Sequence, residues 1–272
     1  MAAFYSRMSM NINGEKENSG VLNINAENEG LDSELHLTIN GGNINIKSGN
    51  DGINTNEDGV SVTTINGGNL TIQVAGTTGE GDGIDSNGWL VINGGTVVAA
   101  ACSDSADAGI DSDMGIHING GTVLASGHMH DRIEEGGQTY AIFNLMQKQG
   151  NIGGLFIKDE AGTVVLESNI ENKYSVLVYS NPDLKEGTYK LWNNKEEMIV
   201  QSGGPMGGFG IRPMPGMERP ERPEGLEGME PPERPEGFEG MDPPERPEGF
   251  EGMEPPAPPK DGEGKDDKRP FV

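Results

Sequence analysis

Cysteine is almost missing from this chain: Cys102 is the only one in 272 residues, so no intramolecular disulfide staples the fold. It ends an Ala-rich run and reads as a small buried filler, because a reactive thiol needs an electropositive setting that the surrounding sequence lacks. Basic residues are scarce as well. With 19 Lys and Arg against 44 Asp and Glu the net charge is -25, which argues against nucleic acid or an anionic membrane surface as partner, since both require cationic side chains to displace counterions. No stretch approaches the roughly 20 apolar residues of a membrane span, which excludes membrane insertion by a helix. Met1 to Asn13 hold no apolar run of signal-peptide length, so taken literally the chain is cytoplasmic. Proline is nearly absent at first: of 17, only Pro182 lies before residue 200. Hydrophobic content, at 33%, is low for one compact globule, so part of the chain should lie outside any core, and proline marks which part.

Repetition takes the place of these missing features. Ile39-Asn40-Gly41-Gly42, Ile65-Asn66-Gly67-Gly68, Ile92-Asn93-Gly94-Gly95 and Ile118-Asn119-Gly120-Gly121 recur every 26 or 27 residues. A second word lies between them: Glu29-Gly30-Leu31-Asp32-Ser33, Asp51-Gly52-Ile53-Asn54-Thr55, Asp82-Gly83-Ile84-Asp85-Ser86 and Ala108-Gly109-Ile110-Asp111-Ser112. A fixed period of this size belongs to a solenoid whose units bury a face only by stacking. Apolar residues alternate, as in Leu35, Leu37 and Ile39 or Leu70, Ile72 and Val74, which predicts strands with one face inward. Each repeat then carries about three short strands, with glycine pairs turning the corners. A leucine-rich repeat lacks its Leu frame here, and calcium rolls repeat about every nine residues, so the fold class is all-β, a parallel β-helix of about four to five coils.

Four segments are expected: a truncated or frayed first coil over 1–20, the parallel β-helix over 21–138, a small β cap over 139–200, and a disordered tail over 201–272. Val21-Leu22-Asn23-Ile24 reads as a strand of a repeat already running, which points to further coils ahead of Met1. In the tail, PPERPEGFEGMD at Pro231 is followed by PPERPEGFEGME at Pro243, a composition that cannot bury enough surface to fold and so makes an extended spacer.

Stacked strands lie roughly 4.8 Å apart, so equivalent residues form columns. Asn40, Asn66, Asn93 and Asn119 form one, a structural ladder of side-chain amides. With Ile84 inward, alternation places Asp32, Asn54, Asp85 and Asp111 in one outward column, and Glu34, Asn56, Asn87 and Asp113 in the next. Carboxylates at that spacing repel by roughly 1 kcal/mol at water's dielectric and on the order of 3 to 4 at an effective value of 20, so either a cation bridges them or water solvates them. Ca2+ accepts oxygen ligands at about 2.3 to 2.6 Å and suits the spacing. The candidate metal ligands are Glu29, Asp32, Asp51, Asn54, Asp82, Asp85, Asp107, Asp111 and Asp113. Open, hydrated acids remain the other reading. The second column supplies Glu34, Asn56 and Asn87 as candidate carbohydrate contacts, with Trp89 as a stacking platform. Trp192 is read as packing, His128-Met129-His130-Asp131 as a surface turn, His36 and His117 as solvated side chains, and Met114, Met129 and Met146 as packing or cap residues.

With the Asp-Gly-Ile words and the Ile-Asn-Gly-Gly turns in place, the chain resembles a family of bacterial surface proteins with carbohydrate-binding domains, similar in fold to β-helical polysaccharide lyases. The segment from Ser180-Asn181-Pro182 to Gly187-Thr188-Tyr189 looks like that family's closing strand motif, so the resemblance covers about residues 10 to 195. It implies a Ca2+-containing right-handed parallel β-helix that binds acidic sugars such as polygalacturonate, and cellulose, in an extracellular or cell-surface setting. The family's further upstream coils and export signal are missing from this sequence, and Ala108 stands where the repeated word carries an acid, although Asp107 beside it is a substitute.

A lyase needs a Lys or Arg base beside the ion, and from Gly20 to Gly127 the only basic side chain besides His is Lys47. A hydrolase needs two carboxylates roughly 5 to 9.5 Å apart, a spacing this acidic face supplies at many positions without pointing to any. The expected function is therefore a non-catalytic, calcium-dependent, monomeric binding module for acidic (pectin-like) or plant cell-wall polysaccharide. The alternatives are a structural surface protein or adhesin with a calcium-stiffened rod, and a polysaccharide lyase.

Overall fold

The structure, a computed structural model, describes residues 2–14, 19–76, 81–150, 154–193 and 196–198. The proline-rich tail predicted over 201–272 lies outside them. The short strands run coil by coil. The first coil holds β1 (Phe4–Ser6), β2 (Met10–Ile12) and β3 (Val21–Asn25), the second β4 (Leu31–Ser33), β5 (His36–Ile39) and β6 (Asn43–Ser48). The third holds β7 (Ile53–Thr55), β8 (Val62–Ile65) and β9 (Asn69–Val74), the fourth β10 (Ile84–Ser86), β11 (Trp89–Ile92) and β12 (Thr96–Ala100). A fifth adds β13 (Gly115–Ile118) and β14 (Thr122–Gly127), its remaining side reduced to a bridge between Ile110 and Ile84.

Equivalent strands pair in parallel without a register slip, which makes three long faces. The first face is β1-β4-β7-β10, the second β2-β5-β8-β11-β13, and the third begins β3-β6-β9-β12-β14. Alternation decides which side chains go in. Leu31, Ile53 and Ile84 stack on one another, as do Ile39, Ile65, Ile92 and Ile118, and every one of them is buried. Each such side chain contributes about 1.5–3 kcal/mol by leaving water, and it does so only because the neighbouring coil covers it. A buried hydroxyl file, Ser33, Thr55, Ser86 and Ser112, lines the corner between the first two faces; Thr55 Oγ1 donates to Ser86 Oγ at 2.9 Å. The Ile-Asn-Gly-Gly corners need glycine for two reasons at once. Gly95 has φ +84°, and a Cβ there would lie 2.6 Å from the Gly68 carbonyl oxygen of the coil below.

The solenoid closes by reversing a strand. After β14 the chain makes an irregular further half coil, with Met129 bridging Ala108 and Ile133 bridging Ile116. β18 (Tyr174–Ser180) then runs antiparallel along β14, and β15 (Tyr140–Gln149) antiparallel along β18, which covers the parallel edge of the third face. β16 (Leu155–Lys158), β17 (Val164–Ser168), β19 (Lys190–Asn193) and β20 (Glu196–Glu197) form a separate antiparallel sheet. This cap folds onto the outside of the solenoid and builds a second core from Ala100 and Leu124 with Phe143, Leu145, Leu155, Leu177 and Tyr179. The outer column of the third face records the cover: Asn23, Asn45 and Thr71 are exposed, Val98 is half-buried and Leu124 is buried. Asn172 is the clip. Its buried Nδ2 donates to the carbonyl oxygens of Val74 at 2.5 Å and Ala101 at 2.6 Å, while its Oδ1 accepts from Gln73.

Candidate functional site

The repeated word places its second acid on the outside of the first face. Tyr5, Asp32, Asn54 and Asp85 stand in register, and the Ile84–Ile110 bridge brings Asp111 above them, so the outward column derived from alternation is present in space. Beside it run Glu34, Asn56, Asn87 and Asp113, whose amides donate to the carbonyls of Ser6, Ser33, Thr55 and Ser86 of the preceding coil. Asn56 Nδ2 ties the two columns by donating to Asp32 Oδ1 at 2.8 Å, and within the second column Asn87 Nδ2 donates to the Asn56 carbonyl at 3.0 Å. Tyr5 donates its hydroxyl proton to Glu34 Oε1 at 2.5 Å.

The first acid of the word does something different. Asp51 Oδ1 accepts from the Asp82 amide at 2.8 Å, Asp82 Oδ1 from the Ala108 amide at 2.6 Å, and Asp107 Oδ2 from the Gly81 amide. The nine candidate metal ligands thus divide. Asp51, Asp82 and Asp107 have carboxylate oxygens committed to backbone between coils, whereas Asp32, Asn54, Asp85 and Asp111 form the outward file. Glu29 lies beside Asp32, and Asp113 beside Asp111 and Asp85, as their mutual repulsion records.

Partial burial gives these acids unusual proton affinities. Desolvation, followed by the charges of Asp111, Asp107 and Asp51, pushes Asp82 up to about 8 despite the Ala108 hydrogen bond. Asp85 rises to about 7 through desolvation and then Asp51, Asp111 and Asp113. Asp111 rises to about 6 through desolvation and then Asp131, Asp113 and Asp107; Asp32 rises to about 6 through desolvation and then Glu29. Within this file Asn54 Oδ1 is buried without a hydrogen-bond partner among the described residues. A buried acceptor left unmade costs about 1–3 kcal/mol, so the file pairs an unmet oxygen with carboxylates that repel one another.

Trp89 opens β11 on the outer side of the second face, around the Asn87-Gly88 corner from the acidic columns. It is half-buried and stacks on His117 of the next coil, ring centroids 5.1 Å apart and tilted by 31°. This corrects the expectation of a solvated His117, and His36 differs too, accepting from the Val62 amide at Nδ1. Neither partner was visible in sequence because each lies a full coil away. His128 is held by Ser175 and the Ser103 carbonyl rather than free at a turn. Trp192 carries the Lys158 ammonium 4.1 Å from its ring centroid, a packing role. Cys102 is fully buried. Lys47 projects from the third face, on a different side of the solenoid from the acidic file. Asp131, which raises Asp111, escaped the sequence reading because the 26-residue period breaks after Gly127.

A family profile described as "Carbohydrate-binding domain-containing protein" matches residues 1–175. No curated protein and no solved structure matches the chain.

Proposed function

The chain belongs to the family of carbohydrate-binding domain-containing proteins, and on that premise we propose a non-catalytic module, extracellular or cell-surface, that holds acidic polysaccharide of the pectin type, or plant cell-wall polysaccharide, through Ca2+ on the first face. The observation that carries this reading is Asn54 Oδ1, a buried oxygen with no donor among the described residues, set between Asp32 and Asp85 in one column. The donor chemistry fits a hard cation, since the file offers only carboxylate and amide oxygens. Among the described residues no three His, Cys, Asp or Glu side chains are gathered into a ready-made site, so the proposed ion relies on the Asn54 oxygen beside the carboxylates. Neighbours one rung apart in the file Asp32, Asn54, Asp85 and Asp111 would share such an ion, since two oxygens on one Ca2+ lie at most about 5 Å apart.

When bound, Ca2+ neutralises the column and leaves coordination positions for sugar carboxylates. The rest is the chain's own work. Glu34 and Asn87 present acceptor oxygens to sugar hydroxyls alongside the file, Asn56 adds its remaining N–H, and Trp89, braced by His117, offers a ring face to a pyranose at the neighbouring corner. Asp51, Asp82 and Asp107 keep the coils in register beneath.

Retention on immobilised polygalacturonate, measured with Ca2+ and with chelator, tests the proposal. Retention that depends on Ca2+ and is lost in Asp85→Asn is expected. Ca2+ binding with no retention would replace the reading by a stiffened rod, and release of unsaturated uronides abolished by Lys47→Ala would replace it by a lyase.

A further inference from the structure

The asparagine ladder has a direction. Asn119 Nδ2 donates to Asn93 Oδ1 at 2.9 Å, Asn93 to Asn66 at 2.9 Å, Asn66 to Asn40 at 2.8 Å and Asn40 to Asn13 at 2.8 Å. Asn40, Asn66 and Asn93 therefore each donate toward the first coil and accept from the coil above. An amide whose N–H is engaged becomes a stronger acceptor at its own oxygen, and the polarisation accumulates along a chain of such bonds. The ladder ends at Asn119, and among the described residues nothing donates to its Oδ1.

That oxygen stands at a groove. Asn119, Gly136, Gly137, Gln138, Thr139, Pro182 and Leu184 line this open, shallow groove of about 590 Å3. Its walls are held firmly. Gln138 Nε2 donates to the Gly121 carbonyl at 2.8 Å and to Ser180 Oγ at 2.7 Å, which fixes the amide and leaves Oε1 without a donor among the described residues. Ser180 Oγ in turn donates to the Thr139 carbonyl, and Asn181 Nδ2 to Thr122 Oγ1. At Gly137 any side chain would meet the Ile118 carbonyl oxygen at 2.3 Å, so this wall stays bare backbone. Pro182 supplies the exposed apolar side, with Leu184 buried in the cap core beneath it.

The lining carries no charged side chain, two amide oxygens that accept from no donor among the described residues, and Pro182 as its exposed apolar side. Glu135 and Asp183, next to the lining residues in sequence, make the surroundings unfavourable for an anion. We propose that this groove is a second carbohydrate subsite, for a neutral saccharide residue whose hydroxyls donate to Asn119 Oδ1 and Gln138 Oε1 while a C–H face lies on the exposed ring of Pro182. The inference rests on the carbohydrate-binding reading above but not on Ca2+ or on the first face. Asn93 is a positioning residue here: it never meets the sugar, and it acts by keeping Asn119 oriented and polarised.

The test is amide-detected NMR titration of the full chain with cellotetraose in the presence of chelator. Saturable shifts at Asn119, Gly136, Gly137 and Leu184 are expected, weakened about tenfold in Asn119→Ala and by a smaller factor in Asn93→Ala. Asp85→Asn should leave the titration unchanged, since it belongs to the other face. Shifts absent from these residues, or an unchanged affinity in Asn119→Ala, would overturn the subsite. If that happens while polygalacturonate retention persists, only the groove fails; loss of both responses removes the carbohydrate reading itself.

Discussion

Asp82 Oδ1 accepts a hydrogen bond from the amide of Ala108, 2.6 Å away and one coil further on, and Ala108 is the one copy of the repeated word that begins without an acid. Asp51 and Asp82 each tie the amide of the equivalent residue in the next coil. After Ala108 the next coil is only the irregular half turn through Met129 and Ile133, so there is no regular equivalent to tie.

Asp82→Ala should therefore destabilise the chain by about 1–3 kcal/mol, because the Ala108 amide is buried and loses its acceptor. Asp82→Asn keeps an acceptor oxygen and removes a carboxylate that burial has made costly to ionise. In metal-free urea denaturation at about pH 8 it should be at least as stable as the parent, with Ca2+ binding retained. Destabilisation equal to that of the Ala variant would show that the charge, and not the acceptor, makes the tie.

The raised carboxylates set the sign of a pH dependence. Asp32, Asp82, Asp85 and Asp111 hold protons in the folded chain up to about 6, 8, 7 and 6, above the ordinary carboxylate value of 3.8. Between that value and these, the folded state binds more protons than the unfolded state, so stability falls as pH rises. In chelator, the melting temperature should drop from about pH 5 to about pH 8, and Ca2+ should restore more of it at the higher pH. A chelated protein that grows more stable over this range would contradict the buried-acid description.

Two glycines of similar φ separate backbone strain from crowding. Gly95 and Gly162 have φ of +84° and +81°, but a Cβ on Gly95 meets backbone at 2.6 Å, while Gly162 has open space. Gly162→Ala should cost about 1–2 kcal/mol, the left-handed penalty alone. Gly95→Ala should exceed it by at least about 1–3 kcal/mol, because two coils would have to move apart. Equal losses in chemical denaturation would show that the corners can slide.

Asn172→Ala removes the clip between cap and solenoid and leaves the carbonyls of Val74 and Ala101 without this donor. A loss of about 2–4 kcal/mol is expected from two buried bonds. Faster hydrogen exchange should follow in β15 and β18, with β5, β8 and β11 unaffected. Uniform acceleration across all strands would mean that cap and solenoid unfold as one unit.

The solenoid was legible because its rules are local. Alternation around Ile39, Ile65 and Ile92 gives the inward face, the period gives the stacking, and together they placed Asp32, Asn54, Asp85 and Asp111 in register. The division of the acids was not legible, since whether Asp82 or Asp85 turns toward a neighbouring amide depends on corner geometry that no spacing records. Contacts made a coil apart with no repeat to announce them, such as Trp89 on His117, were equally hidden. The cap shows the same limit: the shift from Asn23 and Asn45 to Val98 and Leu124 along one outer column signals a covering layer only once the register is known.

The most direct test of the calcium file is calorimetric titration of chelator-treated protein with Ca2+, then with tetragalacturonate, for the parent chain, Asp82→Asn and a double Asp85→Asn, Asp111→Asn variant. The account predicts Ca2+ binding in the parent and in Asp82→Asn, its loss in the double variant, and uronate heat only where Ca2+ binds. Undiminished Ca2+ affinity in the double variant, or equal uronate binding in chelator, would contradict it.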